Sequence, residues 1–110
     1  RKPDDFKVLS GDDGLTLALM ALGVEGVISV IGNSNPKQMS DIVRLALQNE
    51  FGQARKIHYQ LLPLIELIFK EGNPAGVKAA LEIQKVTKAY LRLPLTPTSQ
   101  GLYEDIKKYY

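Results

Sequence analysis

The sequence predicts an α/β fold built around a βαβ unit, and three observations carry that prediction. Val8-Leu9-Ser10-Gly11-Asp12-Asp13 and Gly26-Val27-Ile28-Ser29-Val30-Ile31-Gly32-Asn33 both run from apolar, extended-favouring residues into small or polar ones. One helix-length segment lies between them, as a crossover between parallel strands requires. In such folds functional groups collect at the carboxyl ends of the strands, where the backbone stops pairing and can face a ligand. Both strands therefore point at one site.

Phe6 to Leu9 reads as a short buried strand entering the loop Ser10-Gly11-Asp12-Asp13. Leu15 to Leu22 contains Thr16 as its only polar residue, so this helix lacks a solvent face and is expected to be covered on both sides. Gly23 serves as its C-terminal stop, and Gly26 opens the second strand, whose Val and Ile content favours an extended backbone. Asn35-Pro36 is a helix start, the Asn side chain capping free amides and Pro losing no hydrogen bond at the first helical position. From Pro36 to Glu50, Met39, Ile42, Val43, Ala46 and Leu47 fall on one face, and Gly52 breaks that helix.

The next helix reaches Phe69 with Ile57, Leu61, Leu64, Ile65 and Ile68 at helical spacing, and Pro63 is expected to kink it. Asn73-Pro74 repeats the start signature and opens a helix to about Tyr90, its stripe formed by Ala79, Ile83, Val86 and Tyr90. Leu93-Pro94-Leu95-Thr96-Pro97 reads as an extended crossing segment, because Pro biases the preceding residue away from helix. A last helix runs from about Ser99 to Tyr110. The expected inventory is two strands and five helices.

With 110 residues, 45% hydrophobic and 24% charged, the chain is at most one ordinary globular domain. A formal charge of +2, with Lys and Arg spread singly, gives no footprint for nucleic acid. The absence of Cys removes disulfides, thiolate metal sites and Cys nucleophiles, and points to a reducing, cytoplasmic setting. The longest apolar run, Leu61 to Phe69, contains Pro63 and Glu66 and is far too short to span a membrane. The chain opens with Arg1-Lys2-Pro3 rather than Met, as a piece of a longer protein would. Two parallel strands cannot satisfy their outer edges or bury both faces, so further strands are expected from other sequence or from other copies of the chain.

Four blocks in order, Asp4-Asp5-Phe6-Lys7-Val8-Leu9-Ser10-Gly11-Asp12-Asp13, Gly26-Val27-Ile28-Ser29-Val30, Asn73-Pro74 with Val77-Lys78, and Leu91-Arg92-Leu93-Pro94-Leu95-Thr96-Pro97, resemble the dihydrodipicolinate synthase family over essentially the whole chain. The resemblance implies the C-terminal portion of a TIM (β/α)8 barrel: residues 1–50 as the last two βα units and residues 51–110 as a helical C-terminal extension. It implies a cytoplasmic lyase of lysine biosynthesis, on the diaminopimelate route, that condenses pyruvate with aspartate semialdehyde. Pyruvate is held as a Schiff base on a lysine of the sixth strand, which would lie before Arg1, so no catalytic residue falls in this chain and the chain alone is expected to be inactive. No metal or cofactor is implied. The family's seventh-strand Gly matches Gly11, and the eighth-strand Ile whose carbonyl approaches pyruvate matches Ile28; these two are the substrate-binding candidates. A homo-oligomer, a tetramer, is implied, with Ala21 and Leu22 on the apolar helix as interface candidates. Gly76 stands where many relatives have a second Pro, a departure that bears on helix rigidity rather than on function. A relative similar to N-acetylneuraminate lyase and a non-enzymatic helical interaction module are the alternative readings. The first is disfavoured because Gly14 stands where such lyases tend to carry Glu.

Other chemistry-bearing residues have ordinary readings. Asp12 and Asp13 diverge as neighbours on an extended loop, so one is expected to cap the following helix and the other to meet solvent. Lys7 lies at the start of its strand, away from the functional end, and Lys78 in the first turns of a helix; both read as solvated lysines. His58, the sole His, has no partner at metal-ligand spacing. Ser10 and Ser29 read as packing or hydrogen-bonding residues, and Tyr103, Tyr109 and Tyr110 as packing of the final helix.

Overall fold

The first extended segment meets the second through one parallel bridge between Ser10 and Val27. Around it, the Glu25 amide donates to the Val8 carbonyl (3.0 Å), the Ser10 amide to the Gly26 carbonyl (2.8 Å) and the Ile28 amide to the Ser10 carbonyl (2.9 Å). The structure, a computed structural model, describes residues 2–110, and Arg1 lies outside them. Among the described residues this bridge is the whole of the β-pairing, so the expectation of two strands is corrected to a helical chain with one paired contact. Each segment finds a partner on one side only, and a parallel pair without further neighbours has too few rungs to extend.

The residues divide into two compact units, one ending at Leu61 and one formed by Leu62–Tyr110. In the first, α1 (Thr16–Ala21) is shorter than expected at both ends and is closed by Gly23 in the left-handed region (φ 95°). Thr16, Leu17 and Met20 are its covered face, whereas Leu15 is exposed and Leu22 is 83% exposed. The expected cover on both sides is therefore absent among the described residues. A short 3₁₀ turn, Ile31–Asn33, leads into α2 (Pro36–Leu47), which buries Met39, Ile42 and Ala46 and packs against both α1 and the turn.

Asn35 precedes Pro36 at the start of α2 as expected, but its side chain caps no amide; its oxygen accepts the Ser34 hydroxyl at 2.9 Å. On the outer face, Asp41 accepts from Lys37 at 2.7 Å and pairs with Arg44; the Lys37 bond foremost, with the Arg44 charge beside it, holds the carboxyl below the usual carboxylate range. The helix stops at Asn49, which takes a positive φ of 62°, and not at Gly52, which lies in the first turn of the next helix. Asn tolerates this conformation because its short polar side chain can bond locally.

That helix, α3 (Phe51–Phe69), runs unbroken through Pro63. In the second unit it buries Leu64, Ile65 and Ile68, and is followed by α4 (Ala75–Ile83) and α5 (Gln100–Lys107), which pack on each other. The expected helix to Tyr90 ends seven residues early because Lys85 adopts a positive φ of 59°; Val86 and Tyr90 lie beyond it and are exposed. The buried face of α4 is Ala75, Gly76, Val77, Ala79 and Ala80. The irregular stretch that follows is tied down by side chains: Glu82 accepts the Ala89 amide (3.1 Å) and Lys78 Nζ donates to the Tyr90 carbonyl (2.7 Å). Ser99 caps α5, its hydroxyl accepting the Leu102 amide. The Glu71 carboxylate receives both the Ser99 amide (2.7 Å) and hydroxyl (2.5 Å), which lowers its pKa from the ordinary value.

Gly76 is where α4 approaches the backbone of α3: a Cβ there would overlap the Ile68 carbonyl. Replacing a helical Gly by Ala ordinarily stabilises by up to about 1 kcal/mol. Here the sign reverses. Gly76→Ala is expected to destabilise by about 2 kcal/mol or more through forced separation of the two helices, while Gly101→Ala, whose added methyl meets open space, is expected to be neutral or stabilising. Urea unfolding midpoints of the two variants check the contrast.

Candidate functional site

The loop that leaves the first extended segment is built on hydroxyls. Ser10 and Thr16 are both buried, and their Oγ and Oγ1 lie 2.9 and 2.7 Å from the Asp12 carbonyl, which accepts from both. The Asp12 amide in turn donates to Ser10 Oγ (3.2 Å). Thr16 was visible in the sequence only as the single polar residue of an apolar segment; a Thr bonding the carbonyl four residues back is the signal that could have placed it.

The two acids behave differently. Asp12 Oδ1 accepts the Leu15 amide at 3.0 Å, the helix-entry role expected of one of the pair. Asp13 does not meet solvent. It is 3% exposed, and its Oδ2 accepts the amides of Val30 (3.0 Å) and Ile31 (2.8 Å) at the entry to the 3₁₀ turn. The expectation that the second acid is solvated is corrected for a physical reason: the first amides of any helical turn lack partners, and a carboxylate is the strongest acceptor available.

Ile28 and Gly11 lie on adjacent ends of the bridge. The Ile28 amide is spent on the Ser10 carbonyl, and its side chain is 74% exposed. In a continuing parallel ladder the Asp12 amide would bond the Ile28 carbonyl, but that amide goes to Ser10 Oγ, which leaves the carbonyl outside the ladder. At Gly11 a methyl would have nothing within 4 Å, so the space in front of the loop is open. Ser29 serves locally, its Oγ accepting the Gly32 amide at 2.7 Å.

The remaining candidates have partners of their own. Lys7 Nζ pairs with Glu25 at 2.7 Å on the surface. Lys78 is engaged with the Tyr90 carbonyl. Partial burial lowers the pKa of His58, whose ring contacts Tyr59 with centroids 5.6 Å apart. It lines a groove of about 300 Å³ with Leu17, Ala18, Ala21, Phe51 and Arg55. Ala21 thus lies on an open apolar face, and the exposed Leu22 follows it. Among the described residues no group of three or more His, Asp or Glu could hold a metal ion, and no helix is long and apolar enough to cross a membrane.

The profile of the dihydrodipicolinate synthetase family matches residues 1–109. The chain is 52% identical over 107 residues to the 4-hydroxy-tetrahydrodipicolinate synthase of Azobacteroides pseudotrichonymphae genomovar. CFP2, covering 97% of this chain and 36% of that protein. Among solved structures it is similar to dihydrodipicolinate synthase from Aquifex aeolicus, with a TM-score of 0.94 and 42% identity over 98% of this chain and 37% of that one. It is also similar to the chloride-inhibited dihydrodipicolinate synthase from Acinetobacter baumannii complexed with pyruvate, with a TM-score of 0.86 and 35% identity over 94% of this chain and 36% of that one. The chain thus spans about a third of the length of the relatives it matches.

Thr16→Val keeps the shape of the buried side chain but removes the hydroxyl shared by Asp12 and Ser10. It is expected to destabilise the chain by about 1 to 3 kcal/mol, because the partners lose a donor in a buried place. Chemical denaturation followed by circular dichroism measures the loss.

Proposed function

As the chain belongs to the dihydrodipicolinate synthetase family, we propose that it is the C-terminal part of a Schiff-base lyase that condenses pyruvate with aspartate semialdehyde. Residues 1–50 are then the last two βα units of a TIM barrel and residues 51–110 its helical extension. The carrying observation is the match of residues 1–109 to the family together with the similarity of the whole described fold to its enzymes. An apolar groove of about 480 Å³ supports the barrel reading: Leu9, Val27, Met39, Val43 and Leu47 line it beside the unextended bridge, as a surface awaiting further strands would.

In this reading the chain supplies one wall of the pyruvate site and none of its covalent chemistry. The Ile28 carbonyl is a fixed acceptor without a titratable group, and Gly11 leaves room for a small keto acid in front of the loop. The nucleophile in this reading is the sixth-strand lysine that the family resemblance implies; Lys7 is ion-paired with Glu25 at the surface and Lys78 is engaged with the Tyr90 carbonyl. The enzyme is cytoplasmic and a homo-oligomer, a tetramer, that buries Ala21 and Leu22 against a neighbouring copy. The exposure of Leu22 beside an apolar groove supports that placement.

Two measurements test these statements. Pyruvate followed by borohydride is expected to leave the 110-residue chain unmodified and to label a full-length enzyme once, at a lysine outside these residues; a stoichiometric adduct on Lys7 or Lys78 would defeat the assignment. In that same enzyme Leu22→Glu is expected to shift sedimentation toward smaller species, because it would bury an unpaired charge at a contact. An unchanged oligomer would place the interface elsewhere.

A further inference from the structure

We propose that Asp13 is a positioning residue whose inward-turned carboxylate locks the turn after the second extended segment and thereby aims the Ile28 carbonyl. The inference rests on the reading of Ile28 as a substrate-facing group, and it deepens that reading by naming what holds the group in place.

A buried carboxylate is costly unless its oxygens are well partnered. Asp13 uses only one of them: Oδ2 collects the Val30 and Ile31 amides, 17 and 18 residues away, while Oδ1 is buried with no partner among the described residues. The bonds from Oδ2 tie the loop to backbone far along the chain and so set the geometry of the turn. The base from which Asp13 reaches is rigid, since both flanks of its loop are bonded: Asp12 Oδ1 to the Leu15 amide, and the Asp12 carbonyl to the Ser10 and Thr16 hydroxyls.

Ile28 and Ser29 are suspended between two anchors. On one side the Ile28 amide is held by the Ser10 carbonyl at 2.9 Å, and on the other the Val30 and Ile31 amides are held by Asp13. The Ile28 carbonyl lies in the short span between them and takes no part in the ladder. Both anchors spring from the same loop, Ser10 and Asp13 being three residues apart. The orientation of the carbonyl is therefore set relative to Gly11, which lies on that loop, and a small keto acid would meet the two as one surface. Displacing a positioned group by an ångström can lower its effectiveness by about a hundredfold, so a clamp of this kind has something to protect.

The experiment compares Asp13→Ala and Asp13→Asn with the unsubstituted full-length enzyme, reading hydrogen exchange at Val30 and Ile31 together with pyruvate KM and kcat. Asp13→Ala is expected to speed exchange of both amides by about ten- to a hundredfold through loss of charge-assisted bonds. It is expected to raise the pyruvate KM by about tenfold with kcat changed by less than about threefold, the pattern of lost binding rather than lost chemistry. Asp13→Asn keeps an acceptor oxygen in the same place and is expected to restore most of both. Fast exchange with an unchanged KM, or a raised KM with both amides still protected, would overturn the proposal. Should Asp13→Ala fail to fold, Asp13→Asn decides alone: amide protection and pyruvate affinity must move together, and movement of one without the other is fatal. An unsubstituted enzyme that binds no pyruvate would defeat the functional reading before any variant is compared, and with it the carbonyl's role. The exchange rates would still tell whether the clamp exists.

Discussion

Backbone groups that find no strand to pair with must find something else, and in the first unit that need is met by a handful of short side chains. The parallel bridge at Ser10 and Val27 satisfies two amides directly, and the flanking bond from Glu25 to Val8 a third. Beyond it, Ser10 Oγ takes the Asp12 amide, Asp12 the Leu15 amide, Asp13 the Val30 and Ile31 amides, and Ser29 the Gly32 amide. Unpaired buried amides cost more than a hydrogen bond returns, so these side chains decide whether the strand-end loops have one conformation or many. The candidate site inherits its geometry from them, because the Ile28 side chain is largely exposed and Gly11 has none.

The second unit solves the same problem at helix ends. Between α4 and α5 no regular ladder forms, and Glu82, Lys78 and Glu71 reach across to the Ala89 amide, the Tyr90 carbonyl and Ser99. All three are charged groups acting on neutral backbone or a hydroxyl, which gives stronger bonds than neutral pairs would. The close seat of α4 on α3 at Gly76 fixes the start of α4, and the positive φ of Lys85 ends it. Gly76, noted in the sequence as a departure bearing on rigidity, is thus a matter of approach distance between helices.

How much was legible varied with the kind of force. Of the stripe Met39, Ile42, Val43, Ala46 and Leu47, Met39, Ile42 and Ala46 are buried, Val43 is half-buried and Leu47 is exposed; of the stripe Ile57, Leu61, Leu64, Ile65 and Ile68, all but the half-buried Ile57 are buried, since a 3.6-residue period leaves little choice of face. Gly23 ended its helix as expected, because only a residue without a Cβ takes φ 95° without strain. The helix ends at Asn49 and Lys85 are not legible in the sequence: Gly52 is the stronger local break signal beside the first, and nothing in the character of Lys marks a left-handed residue. That one of the two acids at Asp12-Asp13 enters the helix was legible from helix-entry chemistry, and Asp12 takes that role. That the other, Asp13, turns inward rather than to solvent was not legible, because its partners lie 17 and 18 residues along the chain.

The sequence by itself determined which segments are helical, which faces are apolar, the order of blocks that mark the family, and the neighbourhood of the site at the ends of the two extended runs. These follow from local stereochemistry and from periodicity, which every residue reports about its immediate neighbours. Tertiary structure alone decided that the two strands shrink to a single bridge, that Thr16 and Asp13 turn inward, and that Gly76 admits a neighbouring backbone. Each of these depends on which distant atoms arrive within hydrogen-bonding or van der Waals reach, and a pattern along the chain carries no record of that distance.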